Sequence, residues 1–219
     1  MFWISSPYLV VSRLVKWIGN GYLLPQVAAT LEEGLGGFVI GVIIGGTLGI
    51  LCGYFRLAGR IVEPAIVALY SLPVIALAPL FLLWFGIGQS SKVALAAVTV
   101  IFLVFFNTYA GLKNIDEELV SIVRIMGARS TQLVRTVVLP SALTSMFTGF
   151  KVALPYALIG AVVGEIISSN KGIGYLIQLA STQFDTTGVF VGLVALATVS
   201  VLLSACVRVL EARLMPWRS

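Results

Sequence analysis

The sequence predicts an all-α membrane protein, a bundle of about five transmembrane helices, and three observations carry that expectation. First, 59% of the 219 residues are hydrophobic and only 11% are charged, with a mean hydropathy of +1.05; an ordinary soluble domain carries roughly a quarter charged residues. Second, five apolar runs approach the length of about 20 residues that a helix needs to cross the hydrocarbon core. Third, none of the runs alternates apolar and polar residues as barrel strands do, so backbone groups in lipid have to be satisfied within helices.

Taken in order, residues 1–34 are interrupted by Pro7, Arg13, Lys16 and Pro25. They are expected to form an extracytoplasmic, interfacial amphipathic segment rather than a crossing. The opening MFWISSPYLVVSRLVKWIG lacks the basic head, unbroken apolar middle and small-residue cleavage site of a signal peptide, so it is read as mature chain. The transmembrane domain is expected over 35–218, with spans at about 35–55, 61–85, 93–112, 146–167 and 189–210, and a polar cytoplasmic loop at 114–140.

The first span repeats Gly37, Gly41, Gly45, Gly49 and Gly53 at every fourth residue. At helical spacing they form a smooth groove that admits another backbone. Two readings stand: close packing inside one subunit, or a surface that also slides and seals during transport. The second span holds Pro73 and Pro79, each removing a backbone donor and crowding the preceding turn, so the helix is expected to kink or break there. The kink is either purely structural or part of a pathway wall, since freed carbonyls need neighbours or a water-lined cavity.

The fourth span carries Lys151 and Glu165, 14 residues or about 21 Å apart along a helix and too far to pair with each other. Lys151 is expected to snorkel to the cytoplasmic interface. Glu165 is expected either at a solvated helix end or at a gate. Neither Glu63 nor Glu165 has an evident partner in the sequence.

Cations set the orientation, because cytoplasmic loops hold the excess of Lys and Arg. Arg56 and Arg60 join the first two spans; Lys113, Arg124, Arg129 and Arg135 lie between the third and fourth; Arg208, Arg213 and Arg218 mark the tail. The N-terminal segment is therefore expected outside and the C-terminus in the cytoplasm. The net charge of +5 reflects this topology and does not argue for an anionic cargo.

The chain has no histidine, and Cys52 and Cys206 both sit in apolar runs. No metal site, disulfide or acid–base constellation is implied, so no catalytic residue is assigned. A phosphate-cradling G-x-x-x-x-G-K-[ST] loop is also missing, which puts any ATP binding in a partner.

The loop 114–140 is too polar to span and too long for a tight turn. It is apolar at Ile122, Met126, Leu133, Val137 and Val138 in a helical rhythm, with Gly127 as a break between two short helices. From periodicity alone, its arginines touch lipid phosphates or it lies against a partner.

Residues 121–140 resemble the cytoplasmic signature of ABC importer permeases: Glu-Ala-Ala, three residues, glycine, nine residues, Ile-x-Leu-Pro. Gly127 takes the glycine position, Ala128 to Thr136 are the nine, and VVLP from Val137 to Pro140 supplies the ending; Ser121, Ile122 and Val123 replace Glu-Ala-Ala. SLPVIALAPLFLLWFGIG and GEIISSNKGIGYLI are similar to further blocks of the nitrate, sulfonate, taurine and thiamine-precursor permeases. The resemblance implies a type I importer permease in the bacterial inner membrane that works as a dimer, with a homodimer expected. It further implies ATPase subunits docked at the loop, holding the ATP and Mg that this chain does not bind, and a substrate-binding protein outside. No nucleic-acid partner is implied. A short helix around Ser121–Thr136 would dock, with Ile122, Met126 and Leu133 packing, Arg124, Arg129 and Arg135 pairing with acids, and Ala128, Leu139 and Pro140 framing it. The competing expectation is an ion-coupled secondary transporter working without an ATPase, which should show inverted repeats or intramembrane acids, and the sequence shows neither sign.

Overall fold

The computed structural model describes residues 5–115 and 117–214, without the side chains of Arg56, Glu117, Glu118, Leu119, Arg124, Ser130 and Leu214. The expected contacts of Arg124 and Arg218 therefore lie outside the described residues. Among the described residues there are helices and turns but no strand. They are α1 (Pro7–Gly19), α2 (Leu23–Tyr54), α3 (Arg56–Tyr70), α4 (Val74–Phe85), α5 (Gln89–Lys113), α6 (Glu117–Ile125), α7 (Ser130–Leu133), a π-helical turn (Val134–Val138), α8 (Leu139–Ser168), α9 (Ile173–Thr182) and α10 (Thr186–Leu214).

Four helices are long and apolar enough to cross a membrane, and five crossings result if the bent pair α3–α4 counts as one. The core is a three-helix stack in which α2 and α8 flank α5. Glycines set the spacing: a Cβ at Gly37 would lie 2.4 Å from Ala96 Cβ, at Gly41 2.5 Å from Val100 Cβ, and at Gly45 2.4 Å from the Ile101 carbonyl oxygen. Gly49 and Gly53 continue the contact against Thr108 and Leu112 of α5. The stripe thus lies in packing within this chain, where close approach supplies the dispersion contacts that lipid cannot. Gly160 of α8 meets the Ala96 backbone of α5 in the same way.

Two features differ from the expected elements, and the second span breaks at one of the two prolines where a kink or break is expected. The first long helix begins at Leu23, twelve residues before the expected span, so the stretch 23–34 is helix packed in the bundle; Thr30 and Glu33 are fully buried. Each finds polar company in neighbouring helices, Thr30 with Glu165 and Glu33 with Lys92. The second span is two helices bent by 94°. The break falls at Ser71–Pro73, where Pro73 stands as the N-cap of α4 and pushes its predecessor out of helical conformation. Pro79, by contrast, is held inside α4, whose Ala78 and Phe81 are buried with Leu95, so the expected break there does not form. Finally, α7, the π turn and α8 run on without interruption, so the second half of the polar loop is the start of a long helix.

Candidate functional site

Two groups of residues concentrate the polar chemistry, one at each end of α8. At the first end, α6 stops at Ile125, and Met126 and Gly127 turn the chain. Gly127 has φ +80 with open space around it, so only its backbone conformation demands glycine. Past the turn, the Gln132 side-chain oxygen accepts the Arg129 N–H (2.8 Å) and starts α7. The π turn directly precedes Pro140 at the first turn of α8. A proline ring clashes with the carbonyl four residues before it, and the wider turn accommodates that.

The connector exposes apolar side chains in a polar setting. Ile125 is 86% exposed, Met126 81% and Ile122 48%. Ser121, Gly127, Arg129 and Arg135 are exposed as well, Leu139 is 47% exposed, and Ala128, Leu133 and Pro140 are half-buried. One expected helix from Ser121 to Thr136 does not form, because positions 126–129 are non-helical. Ile125 escaped the sequence reading, although it sits three residues past Ile122 and so shares its helix face.

Behind α6 lies a cavity of 680 Å³ between the ends of α2, α3 and α5, lined by Arg60, Glu63, Tyr109, Lys113, Val120 and Val138 among others. Glu63 accepts the Tyr109 hydroxyl (2.9 Å) and pairs with Lys113 Nζ at 3.4 Å. Lys113 also stands over the Tyr109 ring, 5.2 Å from its centroid. Glu63, left without a partner by the sequence, has two.

Further along α8, Lys151 binds both carboxylate oxygens of Glu211 on α10, at 3.0 and 2.9 Å. The Lys151 side chain is 34% exposed and Glu211 lies near the last turn of α10, so the ammonium has a fixed carboxylate partner there.

At the far end, Glu165 is 1% exposed, which corrects the expectation of a solvated helix end. Its Oε1 accepts the Thr30 hydroxyl and its Oε2 the Gly174 N–H, each at 2.6 Å. Thr30 in turn accepts the Ile173 N–H (2.8 Å), and Gln26 Oε1 accepts the Gly172 N–H (2.7 Å). Next to this set, Lys92 Nζ stands 3.5 Å from Glu33 Oε1, with both side chains almost fully buried. The sequence reading missed Thr30 and Glu33 because it assigned residues 1–34 to the interface, and it gave Lys92 no partner. The i+3 spacing from Thr30 to Glu33 within one helical turn is the signal that could have found them. Pro73 and Pro79 share neither cluster. Among the described residues no group of His, Cys, Asp and Glu is arranged to hold a metal.

The chain matches the family model of the binding-protein-dependent transport system inner membrane component over residues 37–216. It is 37% identical to the formylaminopyrimidine transport permease protein ThiX of Halalkalibacterium halodurans over 98% of this chain and 86% of that protein. It is 32% identical to the putative aliphatic sulfonates transport permease protein SsuC of Bacillus subtilis over 99% of this chain and 78% of that one. Its fold is similar to a chain of the MetNI methionine ABC transporter in an inward-facing conformation, with a TM-score of 0.64, 22% identity, and 93% and 97% of the two chains covered.

Proposed function

Because this chain belongs to the binding-protein-dependent transport system inner membrane components, the membrane permease subunits of ABC importers, we propose that its α6–α7 connector is where a separate ATPase docks and drives transport. The chain is a transport subunit and not itself an enzyme. Membership of an ATP-driven family stands in place of the ion-coupled alternative.

One observation carries the docking reading. Ile122, Ile125 and Met126 project from a membrane bundle at its most polar segment, beside exposed Arg129 and Arg135. Exposed apolar side chains flanked by arginines suit a partner groove with an acidic rim, and membership of an ATP-driven transport family favours that occupant over a lipid interface. Gly127 gives the sharp turn that presents α6 away from α7. Closure of two ATPases around bound ATP and Mg would then move α6 as a rigid body, and α7, continuous with α8, would pass that movement into the bundle.

The remaining assignments follow the same reading. The connector faces the cytoplasm, with Lys113, Arg129, Arg135 and the C-terminal Arg208 and Arg213 on that side. The opposite end, with α9, faces outward and receives the substrate-binding protein. A second copy of this chain completes the permease against the bent α3–α4 pair, where Ile61, Ile75, Leu83 and Trp84 are 68, 62, 83 and 65% exposed. Pro73, at the break of that pair, and Pro79 then belong to the pathway wall. The cargo is a small polar nutrient such as a sulfonate, nitrate or a pyrimidine, a range supported by the relatives named for formylaminopyrimidine and aliphatic sulfonates.

The test is co-purification. Gly127→Arg places a long side chain at a position of positive φ, and it should abolish recovery of the ATPase while the permease still inserts and binds detergent normally. Unchanged complex yield and transport would remove the connector from the mechanism.

A further inference from the structure

The N-terminus of α9 is capped by other helices. Three consecutive backbone N–H groups, of Gly172, Ile173 and Gly174, would be orphan donors of that helix. Each is taken by a side chain from elsewhere: Gln26 and Thr30 of α2, and Glu165 of α8. The fit is close. A Cβ at Gly172 would lie 2.2 Å from the Glu165 carboxyl carbon and one at Gly174 2.7 Å from the Val162 carbonyl oxygen, and Gly172 has φ +111. Ile173 is fully buried with Leu158 of α8 and Val199 of α10.

The other end of α9 leads to a turn of a different kind. Phe184 has φ +55 and is 91% exposed, and the turn is fastened by Asp185, which accepts the Gly188 N–H (3.1 Å) and pairs with Arg13 of α1. This turn lies at the end of α8 opposite the connector. Glu165 stands near one end of a helix of 30 residues whose other end continues into the π turn and α7; at 1.5 Å per residue that is a lever of about 45 Å.

We propose that Glu165 is a positioning residue of the transport cycle: with Thr30 it locks α9 to α2 and α8, so that the outward turn around Phe184 and the inward connector are displaced together. The lock makes the outer surface that meets the binding protein and the inner surface that meets the ATPase two ends of one rigid body. This inference rests on the docking reading above. The residues at issue touch neither partner, so their effect is on coupling between sites.

The experiment reconstitutes the chain with its ATPase and its substrate-binding protein in lipid nanodiscs, and compares wild type with Thr30→Val and Thr30→Ser. Valine keeps the shape of threonine and removes the hydroxyl that joins Ile173 to Glu165; serine keeps the hydroxyl. Thr30→Val should leave complex yield and unstimulated hydrolysis as in wild type. Its stimulation by the liganded binding protein should fall about tenfold, within the usual range of coupling between two sites. Hydrogen exchange at the amides of residues 172–174 should quicken in the same variant, and Thr30→Ser should behave as wild type in both assays. Full stimulation of Thr30→Val would overturn the proposal, as would a parallel fall of yield, unstimulated and stimulated hydrolysis. Failure of the wild-type chain to recover any ATPase would overturn both this proposal and the docking reading.

Discussion

The two ends of α8 use polar residues in opposite ways. At the α9 end the charged and hydroxyl side chains are turned inward: Thr30, Glu33 and Glu165 are at most 1% exposed, and Lys92 is 4% exposed. At the connector end Arg129 and Arg135 are exposed, and so are Ile122, Ile125 and Met126. Buried charge in a membrane bundle is costly and persists where partners hold it in one geometry. Exposed apolar side chains on a charged segment have nothing to bury against within the chain. The first end is therefore closed over within this chain, with the Lys92 ion pair but no hydrogen bond at the Glu33 carboxylate, whereas the docking reading has the second completed by another polypeptide.

Substitutions can break that contrast, and the largest effect is expected at the closed end. Lys92→Met leaves the Glu33 carboxylate buried without its cation, which costs about 3–5 kcal/mol; a thermal melt of the detergent-solubilised chain would show the loss, and an unshifted midpoint would mean the pair is not structural. Next comes the glycine stripe. Gly45→Val drives two methyl groups toward the Ile101 carbonyl and should cost about 1–3 kcal/mol by overpacking, read in the same melt. A smaller effect belongs to the wall of the connector cavity: Tyr109→Phe deletes the hydrogen bond to Glu63 and should cost about 1 kcal/mol. Smallest in stability, and sharpest for the comparison, is Ile125→Ser. A side chain this exposed should shift the melt by no more than about 0.5 kcal/mol, yet the variant should recover much less ATPase on co-purification. If Ile125→Ser melts as early as Lys92→Met, the connector is part of the fold and the contrast fails.

The helical bundle was legible in the sequence because membrane spans announce themselves by length and hydropathy alone. So was the turn at Gly127, since a glycine between two amphipathic stretches has few other uses. What stayed hidden depends on neighbours that periodicity does not reveal. Glu33 and Thr30 looked like residues of a surface segment, because Pro7, Arg13, Lys16 and Pro25 interrupt the first 34 residues. Lys92 answers Glu33 from a helix 59 positions away, and Gly172 to Gly174 answer Glu165, Thr30 and Gln26. Pro73 breaks the span as expected, where Ser71 and Leu72 close the preceding turn, whereas Pro79 was misjudged because its effect is contextual and it is enclosed by packing against α5. Ile125 was overlooked because the rhythm was anchored on Ile122 and Met126.

The docking of an ATPase on the connector is tested most directly by proximity in the assembled importer. With the exposed Cys206 replaced by serine and Cys52 left buried, Met126→Cys and Phe184→Cys place one reactive thiol at each end of α8. A short bifunctional reagent should link position 126 to the ATPase and position 184 to the substrate-binding protein. An ATPase cross-link from position 184, or none from position 126 in a complex that still hydrolyses ATP, would contradict the entry of force through α6 and α7.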